Sequence, residues 1–202
     1  MISIIITSYK EPSTLSYAID AIYKQNLSED YELIISAPDD ATLNVAREWA
    51  NLNKRIKIIK DRGIGKPAAL NLAFKKAKGD IICYLNSCDM LGGGHLTAII
   101  AQFDLRKYDW VYYNDYLQPS KDGVKVKFVE LEHGSIGTSS IAHKNIRNPF
   151  YKPFGKQITW SGCNGYGHDW KFIERLINKF PDNKKIYGAV YLICHMPNVF
   201  DY

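Results

Sequence analysis

Along residues 1–90 the apolar positions alternate between unbroken runs and a helical stripe. Ile2 to Thr7 is a short β-branched run that predicts a strand, and Pro12 opens a helix with Leu15, Ala18, Ile19 and Ile22 on one face. Glu32 to Ala37 predicts a second strand. Asp39 and Asp40 suit the start of a second helix, whose stripe is Leu43, Ala46, Trp49 and Ala50. Ile56 to Ile59 predicts a third strand, Gly63-Ile64-Gly65-Lys66 a loop, and Pro67 to Ala77 a third helix stopped by Gly79. Ile81 to Leu85 predicts the fourth strand. Apolar strands alternating with amphipathic helices predict an α/β fold, with a mostly parallel sheet covered on both faces. Ligands of such sheets sit beyond the carboxyl ends of the strands. Those ends carry Ser8-Tyr9-Lys10-Glu11, Ala37-Pro38-Asp39-Asp40, Lys60-Asp61-Arg62-Gly63 and Asn86-Ser87-Cys88-Asp89, polar clusters that would meet along one edge.

The remainder is less regular. Gly92-Gly93-Gly94 breaks into a helix from His95 to Phe103, and Trp110 to Tyr113 and Lys125 to Val129 predict strands around a Lys121-Asp122-Gly123 turn. Thr138 to His143 predicts another strand and residues 144–165 a long loop. Trp170, Ile173, Ile177 and Phe180 form a helical stripe starting just after His168-Asp169, and Tyr187 to Cys194 predicts a last strand before His195.

Composition narrows the function. With 46% hydrophobic and 23% charged among 202 residues, the chain has material for one domain with a full core, and disorder is excluded as its main state. The net charge of +5 suits an anionic partner, but the basic residues are scattered without an arginine-rich or zinc-finger pattern, so nucleic acid is not implied. Cys83, Cys88, Cys163 and Cys194 form no CxxC pair, which points away from a zinc ribbon or disulfide framework and toward a reducing compartment. Met1-Ile2-Ser3-Ile4 lacks the basic start of a signal peptide, and no apolar stretch approaches the roughly 20 residues of a membrane helix. A cytoplasmic location is expected, with peripheral membrane contact left open.

Four segments resemble the family 2 glycosyltransferases, nucleotide-sugar-dependent enzymes. Ile2 to Glu11 is similar to the family's opening strand and turn, with Lys10 where asparagine is usual; Asp61 to Asn71 resembles the loop and helix before the fourth strand. Gly79 to Asp89 resembles the stretch ending in the acidic motif, and Gly167-His168-Asp169-Trp170 the later glycine-glutamate-aspartate-tryptophan motif. The resemblance implies the GT-A fold, a Rossmann-like, mixed but mostly parallel sheet flanked by helices. It implies one domain over 1–202, with a nucleotide-binding half at 1–90 and an acceptor-binding half at 91–202.

The implied reaction moves a sugar from a nucleoside-diphosphate sugar, of UDP, GDP or TDP type, to a hydroxyl of a glycan, lipid-linked or protein acceptor, inverting by direct displacement. Departure of the diphosphate needs cations, and attack by the hydroxyl needs a carboxylate base. By resemblance, Tyr9 and Asp39 contact the base of the nucleotide, Glu11 its nucleoside pocket and Lys66 the diphosphate, with Asn86, Cys88 and Asp89 on the donor side. Asp39 serves equally as a plain helix cap, and Tyr9 as a rim residue. Asp169 matches the catalytic base, and His168, standing where glutamate is usual, tunes it or contacts the acceptor. Trp160 and Trp170 offer aromatic faces for an acceptor sugar, although buried core tryptophans are the commoner case. Asp89 and His195 are the implied ligands of Mn²⁺ or Mg²⁺; a hydrogen-bonded structural role is the alternative for His195. Cys88 departs from the motif by replacing a carboxylate with a thiol that hard cations disfavour.

Three other activities fit parts of the pattern. Cys88 and His168 fit a non-catalytic sugar-nucleotide-binding protein. A nucleotidyltransferase shares the fold's logic, and a dinucleotide-dependent oxidoreductase lacks its GxGxxG here, where the chain reads Thr7-Ser8-Tyr9-Lys10-Glu11.

Overall fold

The computed structural model describes residues 1–28, 30–104, 108–113, 115–120, 123–145, 162–163, 167–187 and 191–193, of which 104, 115–120, 124–127 and 191–193 by backbone alone. Four parallel strands form its centre: β1 (Ile2–Thr7), β2 (Tyr31–Ala37), β3 (Ile56–Lys60) and β4 (Ile81–Asn86). Helices α1 (Pro12–Tyr23), α2 (Asp40–Leu52) and α3 (Lys66–Lys76) connect them. Next come β5 (Asp89–Leu91), α4 (His95–Asp104), β6 (Trp110–Tyr113), β7 (Asp115–Ser120) and β8 (Gly123–Phe128). A 3-10 turn (Thr138–Ser140), β9 (Ile141–Lys144), α5 (His168–Lys179), β10 (Asn183–Ile186) and β11 (Tyr191–Ile193) follow. Seven strands make the main sheet in the order β10-β6-β9-β4-β1-β2-β3, with β9 antiparallel to both neighbours; β5-β11-β7-β8 is a second sheet.

The period-2 pleat of the central strands feeds two cores. Ile4, Ile6, Leu33, Ile35, Cys83 and Leu85 point to one face, where α1 and α4 bring Leu15, Ile19, Leu96 and Ile99. Ile5, Ile34, Ile82 and Tyr84 point to the other, where α3 and α5 bring Leu70, Phe74, Phe172 and Leu176. Each such side chain, removed from water, contributes about 1.5–3 kcal/mol. Register then aligns the strand ends, because Thr7 lies level with Ser36 on β2 and Asn86 on β4. The chain steps from β1 out to β3 and returns to β4 on the far side of β1, so the strand order reverses there.

At the amino end of the sheet the polar groups close on one another. Glu32 is 3% exposed, and its carboxylate accepts from Ser3 Oγ at 2.6 Å, Lys78 N at 2.5 Å, Gly79 N at 3.2 Å and Lys57 Nζ. Burial pushes this carboxyl up, but the Lys57, Ser3 and Lys78 contacts outweigh it and hold it below the usual range. Gly79 is required by close approach, since a Cβ there would stand 2.5 Å from Ser3 N.

The first four strands and three helices form where the pattern predicts them, with boundaries shifted by a residue. The predicted strand from Thr138 to His143 begins instead as the 3-10 turn, and only Ile141–Lys144 pairs with β4 and β6. The cause is local: the hydroxyls of Thr138 and Ser139 bond to carboxylates of the neighbouring site rather than pointing to alternate faces of a ladder. β10, with the sequence Asn-Lys-Lys-Ile, buries only Ile186 and gave no apolar signal; β5 and β7 were likewise not predicted. Of the predicted strand from Tyr187 to Cys194, Tyr191–Ile193 is a strand and Tyr187 lies in a bend. No described helix is long and apolar enough to cross a membrane.

Candidate active site

All four polar strand-end clusters contribute to one cleft of about 490 Å³ beyond the carboxyl ends of β1 to β4. β1 supplies Ser8, Tyr9 and Glu11; Pro38 and Asp61 follow β2 and β3; Lys66 opens α3; Asn86, Ser87 and Cys88 end β4. Tyr9 is 61% exposed at the rim, and the Lys10 ammonium lies 5.2 Å from its ring centroid. Glu11 accepts from Ser87 Oγ, which ties the ends of β1 and β4 together across the cleft.

Two carboxylates shape the walls from behind. Asp39 caps α2, accepting from Thr42 N at 3.0 Å, and its second oxygen accepts from Lys10 N at 2.9 Å. Lys10 has a left-handed backbone with φ 56°, so Asp39 fixes the turn between Tyr9 and Glu11. Asp39 is a helix cap here, next to the cleft-lining Pro38. Asp61 closes the turn after β3 by accepting from Ser36 Oγ at 2.9 Å and Gly63 N at 2.7 Å. The sequence marked Asp61 as part of a strand-end cluster and as the start of the segment resembling the loop before the fourth strand, with no role of its own.

The cation of the cleft is held by a relay. Lys66 Nζ donates to Asn86 Oδ1 at 2.7 Å, and Asn86 Nδ2 donates to Asp89 Oδ2 at 2.8 Å. Ser139 Oγ donates to the same Asp89 oxygen at 2.8 Å. The first turn of α3 takes no side-chain cap, Pro67 has no N–H and the Ala68 and Ala69 amides donate to Gly65 O, so the positive corner is the Lys66 ammonium at the amino end of the helix dipole. Ser8 lines the cleft, is 5% exposed, and its buried Oγ finds no hydrogen-bond partner among the described residues.

Asp169 stands in the first turn of α5. Thr138 Oγ1 donates to its Oδ1, and His168 Nε2 lies 3.0 Å from the same oxygen. Burial pushes this carboxyl up, yet His168, the nearby Lys66 charge and Thr138 outweigh it and hold it below the ordinary carboxylate range. Asp169 is therefore ionised at neutral pH. Gly167 precedes the helix with φ 78°, and a Cβ there would lie 2.8 Å from His133 Nε2, so only glycine fits this entry to α5. Trp170 is half-buried and meets the His133 ring edge-on at 6.3 Å. Trp160 and His195 lie outside the described residues.

Asp89 is fully buried with Oδ2 engaged twice, and burial, then the Asp89 and Glu11 charges, push the Cys88 thiol up to about 12. A protonated thiol is a poor ligand for a hard cation. Among the described residues, no group of three His, Cys, Asp or Glu side chains could hold a metal ion. Asp89 and Cys88 alone do not supply a ligand set for Mn²⁺ or Mg²⁺, and the other expected ligand, His195, is not among the described residues.

The chain resembles known proteins across most of its length. A family model described as glycosyl transferase family 2 matches residues 3–171. A UDP-Glc:alpha-D-GlcNAc-diphosphoundecaprenol beta-1,3-glucosyltransferase of Escherichia coli is 26% identical over 165 residues, covering 76% of this chain and 64% of the relative. The S. aureus TarS 1-349 structure in complex with UDP superposes with a TM-score of 0.74 and 17% identity, covering 95% of this chain and 59% of that one. The mannosyltransferase PcManGT from Pyrobaculum calidifontis, in complex with GDP-Man and Mn²⁺, gives 0.67 and 14% identity, covering 98% and 58%. This chain thus spans less than two thirds of each of these proteins.

Proposed function

The chain belongs to glycosyl transferase family 2, and from that membership we propose that it moves a sugar from a UDP-sugar to an acceptor hydroxyl, inverting the anomeric carbon. UDP is preferred among the nucleotides because the TarS structure, similar in fold, holds UDP. The observation that carries the reading is geometric: Lys66 lines the strand-end cleft and is bonded through Asn86 to Asp89, and the adjacent hydroxyls of Ser139 and Thr138 join that Asp89 and Asp169 through one turn.

In the proposed reaction the acceptor O–H gives its proton to Asp169 as its oxygen bonds to the anomeric carbon. The bond from that carbon to the diphosphate oxygen breaks, and the electron pair leaves on the diphosphate. Lys66 and the amino end of α3 face that charge. Ser8 and the strand-end backbone line the nucleoside side, with Tyr9 at its rim. Residues 91–202, which bring Asp169, His168 and Trp170, supply the acceptor side. The Mn²⁺ of PcManGT belongs to that protein's complex. In this chain Asp89, the described member of the expected ligand pair, serves the Lys66 relay.

Asp169→Asn tests the assignment with wild-type and variant chains, UDP-glucose or UDP-GlcNAc, and a diphosphate-lipid GlcNAc acceptor. Transfer is expected to fall about 10²–10⁴-fold with UDP affinity within twofold of wild type. Full transfer by the variant rejects Asp169 as the base, and UDP binding without transfer in the wild type favours the non-catalytic alternative.

A further inference from the structure

One turn of 3-10 helix touches both carboxylates of the site. Thr138 and Ser139 are 2% and 1% exposed. Thr138 Oγ1 donates to Asp169 Oδ1, and Ser139 Oγ donates to Asp89 Oδ2 while accepting from Asn86 N at 2.9 Å. In a strand, consecutive side chains point to opposite faces; in a 3-10 turn they are about 120° apart, which lets neighbours reach two acids of one site. The turn runs directly into β9, whose Ala142 and His143 pair with Cys83 and Ile82 of β4. It is therefore registered to the strand that ends in Asn86, while Asp169 arrives separately on α5.

We infer that Thr138 is a positioning residue for Asp169 and Ser139 one for the Asp89-Asn86-Lys66 relay, so that a single turn holds the base and the diphosphate-facing ammonium in one frame. This rests on the glycosyltransferase mechanism above. Thr138 and His168 both occupy the Oδ1 side of Asp169. Its Oδ2 lies 3.8 Å from where a Cβ on Gly137 would stand, so the residue before Thr138 leaves that oxygen unobstructed on its side. The groups facing Asp169 are Lys66 from α3, His168 on α5, Thr138 from the turn and the Cys163 thiol, which feels its charge; His133 sits against the entry to α5.

The test is a carbon-13 carboxyl NMR titration of the full chain, with the Asp169 signal identified by its loss in Asp169→Asn. Thr138→Val is expected to raise the Asp169 midpoint by about one pH unit, whereas Thr138→Ser, which restores the hydroxyl, stays within about 0.3. A wild-type midpoint in Thr138→Val overturns the Thr138 role; if that variant does not fold, Thr138→Ala is read the same way. Ser139→Ala is expected to weaken UDP binding about fivefold with the Asp169 midpoint unmoved, and wild-type affinity overturns its role. Calorimetry of wild type with UDP separates the two levels. Absence of UDP binding sinks the proposed function, while the titration still decides the Thr138 role by itself.

Discussion

The two ends of the central sheet treat buried polar groups in opposite ways. At the amino end, Glu32 meets Ser3, Lys57, Lys78 and Gly79, and its carboxylate oxygens are engaged by donors from four residues. At the carboxyl end, Ser8 is as deeply buried but its hydroxyl has no partner among the described residues, and Lys66 lines the cleft from a helix whose first turn has no side-chain cap. Buried polar groups cost free energy unless paired, so a closed network is a stability device and an open one is a place for a ligand. Both ends come from the same strands.

Three experiments break or sharpen this contrast. The largest effect is expected at the closed end: Glu32→Ala leaves the donors of Ser3, Lys78 and Gly79 without their acceptor, while the exposed Lys57 ammonium turns to water, and costs about 3 kcal/mol in denaturant unfolding. UDP affinity should stay at wild type, and a parallel loss of UDP binding in the folded variant would mean that the two ends are not independent.

A comparable effect comes from acid in the middle of the sheet. His143 is fully buried among the rings of Phe74, Tyr84 and Phe172. Its Nδ1 donates to the Lys144 carbonyl at 2.7 Å, leaving Nε2 to accept from Tyr84 OH at 2.9 Å. Burial lowers this imidazole from 6.5 to about 4. Below pH 6.5 the unfolded chain takes up a proton that the native state refuses, so stability falls with pH down to about 4, by about 3 kcal/mol in all. Unfolding measured from pH 7 to 4.5 should show this slope in wild type and a shallower one in His143→Gln; equal slopes would contradict it.

The smallest effect belongs to the open end. Ser8→Ala removes a hydroxyl that has no partner among the described residues, so stability should hold or rise slightly. UDP affinity should drop about fivefold, near 1 kcal/mol. Loss of stability without loss of affinity would assign Ser8 to the core.

The first half of the fold was legible because Ile2 to Thr7, Leu33 to Ile35 and Ile81 to Leu85 are buried on both faces and so read as continuous apolar runs. The second half was less so. β10 is a sheet edge with a single buried apolar residue, and Thr138–Ser140 carries hydroxyls whose acidic partners lie 31 and 50 positions away. Within the site, Tyr9, Glu11, Lys66, Asn86 and Cys88 were legible from their motifs and meet in one cleft. The cap at Asp39 was legible as well, and its oxygens reach the Thr42 and Lys10 amides. Thr138 and Ser139 left no signal in the sequence beyond their β-branched and polar neighbours.

The central claim is that the open end of the sheet is a nucleoside-diphosphate site centred on Lys66. Calorimetric titration of UDP into wild type and Lys66→Met, in buffer with and without chelator, tests it most directly. The account predicts one site in wild type that survives the chelator and weakens about 10–100-fold in the variant. Binding that vanishes with chelator, or that is equal in the two proteins, would contradict it.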